Sequence, residues 1–96
     1  MSEEILKAID SLKEKMGDQI IDGTIKFQIE SIGSIVINNG EVKESDEDTD
    51  CTLSGDMATF QEIFNGEISS TAAFMSGRLK VDGSMGTAMK YNAILS

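Results

Sequence analysis

Apolar residues recur at helical spacing at the start of the chain. Ile5, Ile9, Leu12 and Met16 fall on one stripe, which Leu6 and Ala8 widen. Ser2 is placed to cap the N-terminus, Glu3 and Glu4 suit the positive end of the helix dipole, and Gly17 is a natural stop. The spacing therefore predicts an amphipathic helix over 3–16 with one face to bury. The period then changes. Ile25, Phe27 and Ile29 alternate with Lys26, Gln28 and Glu30, the mark of a half-buried strand. Ile35-Val36-Ile37 forms a second strand. Asn39-Gly40 is a two-residue hairpin signal leading to a third strand around Val42. Glu44 to Asp50 is an acidic run that reads as a solvated loop. Cys51 and Leu53 share one face of a fourth strand.

From Asp56 the helical period returns, with Met57, Phe60, Ile63 and Phe64 on one side and Gly66 at the end. A short helix is expected from about Ser70 to Gly77, carrying Ala72, Ala73, Phe74 and Met75. Leu79 and Val81 alternate with Arg78, Lys80 and Asp82 as a last strand. Gly83-Ser84 then turns into a closing helix on which Met85, Ala88 and Met89 share a face. The order α-β-β-β-β-α-α-β-α gathers helices at both ends of a mainly antiparallel sheet, which is the α+β class. No repeat, linker or proline interrupts it, so residues 1–96 are expected to form one domain.

Charge narrows the choice of partner. The net charge is −9, and residues 41 to 56 hold seven acids against one base. No basic stripe exists for phosphate backbones, which argues against nucleic acid and against strong attachment to anionic membranes. No apolar run approaches the roughly 20 residues that span a bilayer. The N-terminus lacks the basic and then apolar pattern of a secretory signal, and Ile94-Leu95-Ser96 is not a peroxisomal address. With a single cysteine, no internal disulfide can form. A cytoplasmic protein without stable membrane insertion is expected.

The chain is poor in catalytic chemistry. It has no histidine, the usual general base and commonest metal ligand. Cys51 follows Asp50, which disfavours a thiolate, so it reads as a small buried residue. Counted from Asp46, a calcium loop would need glycine where Cys51 stands and glutamate where Met57 stands, so that motif fails. Asp10-Ser11-Leu12 has the form of an acyl-carrier attachment site. It lies inside the first helix with Leu12 on the apolar stripe, and strands follow it, unlike the all-helical acyl carriers. Gly83-Ser84-Met85-Gly86 lacks the lysine and spacing of a phosphate loop and reads as a tight strand-to-helix turn.

Two segments carry a family resemblance. Residues 50 to 56 read DCTLSGD, and residues 74 to 86 read FMSGRLKVDGSMG. They resemble the sterol-carrier-protein family of nonspecific lipid-transfer proteins, with its D-C-T-[IL] strand and its later G-[KR]-L-K-[VI]-x-G-x-M-G motif. The likeness is close over about half the chain, up to Met89 and Lys90. It implies a five-stranded sheet covered on one face by helices, with an apolar tunnel between the layers. That tunnel would hold fatty acid, fatty acyl-CoA, phospholipid or sterol, with no cofactor and no covalent chemistry.

Inward faces of the sheet and of the C-terminal helices would line such a tunnel: Phe27, Ile29, Leu53, Ile63, Phe74, Met75, Met85 and Met89. Each is equally readable as ordinary core, but the late cluster of methionines suits a wall that adapts to varied chains. Lys26, Arg78 and Lys80 are the candidate headgroup partners, although their alternation reads more simply as a wet face. Three roles follow. The protein is a noncatalytic carrier, a partner that presents an acyl substrate to a lipid-metabolising enzyme, or an interaction module with a closed cavity.

Overall fold

The computed structural model describes residues 3–95. The expected cap at Ser2 lies outside them. Helix α1 (Glu3–Met16) is followed by strands β1 (Ile25–Ile29), β2 (Gly33–Asn38), β3 (Glu41–Glu44) and β4 (Cys51–Gly55). Helices α2 (Met57–Phe64) and α3 (Ser70–Met75), strand β5 (Lys80–Gly83) and helix α4 (Met85–Leu95) complete the order. The five strands form one sheet, ordered β3-β2-β1-β4-β5. The β1–β2, β2–β3 and β4–β5 pairings are antiparallel, whereas β1 and β4 run parallel at the centre. The sheet is therefore mixed around a parallel central pair.

Register puts the apolar residues in rows. Phe27 lies between Ile35 and Leu53, Ile25 between Ile37 and Cys51, and Val81 beyond Leu53. This is the face the helices cover: α1 packs on β2 and β3, α4 on β4 and β5, and the two helices touch. The predicted stripe of α1 is buried, from Ile5, Ala8 and Ile9 to Leu12 and Met16. Phe60 of α2 closes the centre with its ring edge-on to Phe27, at 6.0 Å between centroids. The Asn39-Gly40 hairpin forms as read, with both residues at positive φ.

Local chemistry holds the joints. Thr24 and Asp50 bracket each other, with the Thr24 N–H on the Asp50 carboxylate at 3.0 Å and the Asp50 N–H on the Thr24 hydroxyl at 2.9 Å. These bonds register the start of β1 against β4. Gly83 passes so close to Asp50 that a Cβ would strike its carbonyl, and its φ of +93° suits glycine alone. Asp56 caps α2 by accepting from the Thr59 N–H at 2.8 Å, and Thr59, through its side chain first and then its backbone, holds the Asp56 carboxyl below the usual carboxylate range. The Tyr91 hydroxyl donates to the Gly23 carbonyl at 2.9 Å and ties α4 to the loop before β1.

The far face of the sheet corrects one expectation. The acidic run is not simply a solvated loop, because it crosses that face from β3 to β4. Val36 points there, fully buried, between Lys26 and Lys43. Lys26 Nζ meets Asp46 at 3.3 Å, and Lys43 Nζ meets Glu47 at 3.4 Å. The lysine stems shield Val36 while their heads bond to the acidic strap.

Candidate apolar cleft

Strand β5 is a four-residue edge strand, and α3 has only six residues. There is too little sheet there to cover every apolar side chain from α3 and α4. Phe74 stays 41 % exposed, Met75 80 %, Met85 48 % and Met89 69 %. These side chains border a cleft of about 320 Å³ between α3, α4 and the β4–β5 edge. Leu53, Leu79, Val81 and Ala88 form more of its wall, with Ser70, Thr71 and Asn92 as its polar members. Its size falls at the lower end of ligand pockets, roughly 300–1,000 Å³. A contiguous exposed apolar patch of this kind is a common mark of a binding surface.

Of the eight residues expected to line a tunnel, Leu53, Phe74, Met75, Met85 and Met89 come together at this cleft. Phe27, Ile29 and Ile63 do not reach it and are buried in the closed core. The cleft is open to solvent along its methionine rim. Leu79, Val81 and Ala88 also line the cleft, and the sequence carries a signal for the last two. Val81 stands opposite Leu53 in the register, and Ala88 shares a helix face with Met85 and Met89. Leu79 lies in the turn before β5, where its N–H bonds to the Ala73 carbonyl at 3.1 Å and its side chain is buried.

None of the three candidate cations faces the cleft. Lys26 lies on the far face, its side chain 12 % exposed and paired with Asp46. Arg78 is held by Glu62, an ion pair that keeps the Glu62 carboxyl low and the guanidinium high. Lys80 borders a separate recess of about 560 Å³ with Gln28, Glu30, Ser34 and Ser54. Strand alternation places the two lysines: β1 sends Lys26 to the far face, and β5 sends Val81 inward and Lys80 outward.

The remaining candidate groups are occupied or inert. Ser84 Oγ accepts from the Thr87 N–H at 3.2 Å and from the Thr87 hydroxyl at 3.1 Å, so the turn before α4 caps itself. Cys51 is buried in the core. Burial first, and then Asp82 and Asp50, push its thiol pKa up and away from a nucleophile. Among the described residues, no three His, Cys, Asp or Glu side chains gather as metal ligands, and no helix is long and apolar enough to cross a membrane.

This arrangement defines the class: an α+β fold whose helices lie on one face of a five-stranded mixed sheet and leave an apolar cleft at its narrow edge. Residues 3–96 match the model of the SCP-2 sterol transfer family, and the chain belongs to that family. It is 34% identical over 101 residues to hydroxysteroid dehydrogenase-like protein 2 of Xenopus tropicalis, covering 97% of this chain and 24% of that protein. It is 29% identical over 99 residues to human sterol carrier protein 2, covering 90% of this chain and 18% of that protein. The chain thus spans a quarter or less of these curated relatives. Among solved structures, it resembles sterol carrier protein 2 from Aedes aegypti in complex with palmitate. The TM-score is 0.79 at 17% identity, covering 100% of this chain and 97% of that one. The sterol carrier protein domain 2 of Helicoverpa armigera gives 0.78 at 24% identity, over 96% and 85%. At these identities, the structural likeness establishes the fold.

Proposed function

We propose that this chain is a noncatalytic lipid-binding domain that takes up an aliphatic ligand in the α3–α4–β5 cleft and passes it on in the cytoplasm. The observation that carries this reading is the run of exposed apolar side chains from Phe74 to Met89 around a cleft with no ionisable lining residue. Family membership and the palmitate-bound relative support it. Burying an alkyl chain gains about 0.8 kcal/mol per CH₂ before the costs of association and ordering. Apolar contact discriminates chain length poorly, so micromolar binding of several chain lengths is expected.

Titration with a fluorescent fatty acid tests the reading. Saturable uptake at one per chain, weakened by Met75→Lys and blocked by Ala88→Phe, is the expected result. Met75 is exposed enough for its variant to fold. Absence of uptake by the unmodified protein would sink the carrier role.

A second reading rests on a different observation. The strap over the far face of the sheet is acidic, and one relative is a longer dehydrogenase-like protein. In that reading the domain holds an acyl substrate for an enzyme with a basic docking surface. Salt-sensitive capture of such an enzyme, in place of unaided transfer between vesicles, would favour it.

A further inference from the structure

The cleft contains one group that apolar packing does not explain. Ser70 lines it and is only 6 % exposed. Its Oγ is shut off from water and has no hydrogen-bond partner, the only side-chain atom of that kind among the described residues. The polar groups beside it are already engaged. Ser69 Oγ accepts from the Ala72 N–H at 3.0 Å, and Thr71 Oγ1 accepts from Asn92 Nδ2 at 3.1 Å. A buried hydroxyl left unpaired is a net loss compared with a side chain that carries no polar atom. Alanine would fill the same place without that loss.

The surroundings define the chemistry of a partner for this hydroxyl. No ionisable side chain lines the cleft, and the chain as a whole carries −9. An ionised carboxylate or phosphate next to Ser70 would lie without a counter-charge in apolar surroundings, which is strongly unfavourable. An uncharged oxygen meets no such penalty, and a serine hydroxyl can donate to it or accept from it.

We infer that Ser70 is the polar contact of the cleft, selecting a long aliphatic ligand whose inner end carries an uncharged oxygen, the simplest being a fatty alcohol. The inference rests on the cleft being the ligand site. Seating the ligand requires the wall to yield over Oγ, and a wall that includes the unbranched side chains of Met75, Met85 and Met89 is suited to yield. An ionised fatty acid would lie the other way round, with its carboxylate at the open rim and its methyl end inward. Ser70 would then not touch its headgroup.

Dodecanol, dodecane and dodecanoate, each competing at mildly alkaline pH with the neutral probe N-phenylnaphthylamine, distinguish these cases. The unmodified protein should prefer dodecanol to dodecane. Ser70→Ala should weaken dodecanol about 3- to 10-fold, the worth of one neutral hydrogen bond, and leave dodecane and dodecanoate unchanged. The ligand-free variant should melt no lower than the parent, a result that a structural role for Ser70 would not give. Equal changes for alcohol and alkane, or none for either, would overturn the inference while leaving the carrier role intact. Failure of the probe and all three compounds to bind the unmodified protein would overturn both.

Discussion

Helices α1 and α4 lie side by side on one face of one sheet, yet their apolar stripes meet different fates. The stripe of α1 is buried from Ile5 to Met16. On α4, Ala88 and Tyr91 are buried while Met85 and Met89 remain exposed. The difference lies beneath them. Strands β2 and β3 offer α1 a floor of Ile35, Ile37 and Val42, all buried. The β4–β5 edge offers α4 a barer floor, with Leu53, the half-buried Val81 and the glycines at 55 and 83. An apolar stripe thus shows that a helix must lie against something. How much of it is covered depends on the partner.

Truncation should reveal the contrast most strongly. Leu12→Ala in the closed region is expected to lower stability by about 2–5 kcal/mol, measured by urea unfolding. Met89→Ala on the open rim should stay within about 0.5 kcal/mol and instead weaken alkyl-probe binding. Similar stability losses at both sites would erase the distinction.

Gly83→Ala probes that barer edge. A side chain there forces a strained φ and meets the Asp50 carbonyl, so a loss of about 1–3 kcal/mol is expected. Removal of the Tyr91 hydroxyl by Tyr91→Phe, which frees the anchored part of α4 from Gly23, should cost about 1 kcal/mol. The smallest expected effect is electrostatic. The Asp56 carboxyl is held below its ordinary 3.8 by its capping bonds to Thr59, so its contribution is complete above that value and fades as pH falls through the lowered folded pKa. The stability gap between the parent and Asp56→Asn should therefore shrink on acidification through this range. A gap independent of pH would show that the carboxylate charge is not what matters at the cap.

Much of this organisation was legible in the chain, for a physical reason. Periods of two and of 3.6 are local properties, so the strand Ile25–Ile29 and the stripe of α1 could be read directly. Asn39-Gly40 and the helix-ending glycines encode turns in the same local way. The parallel pairing of β1 with β4 was not legible, because their contact joins residues that no turn signal connects. Nor was the strap, since Val36 sits in an unbroken apolar run whose two faces look alike in sequence. At the cleft, Phe74, Met75, Met85 and Met89 were recognisable as a late apolar cluster. Phe27, Ile29 and Ile63 group with them because periodicity gives the inward face of a strand or helix but not its place along the sheet. The isolation of Ser70 is a fact about missing neighbours, and only three-dimensional packing reveals it.

The central claim is that ligand enters the open region and leaves the closed one undisturbed. Methionine-methyl NMR during titration with dodecanol tests it most directly, because the chain carries reporters in both. The account predicts that Met75, Met85 and Met89 shift in a saturable way while Met16, buried at the end of α1, holds its position. Shifts at Met16 as large as those at the rim, or none at the rim, would contradict it.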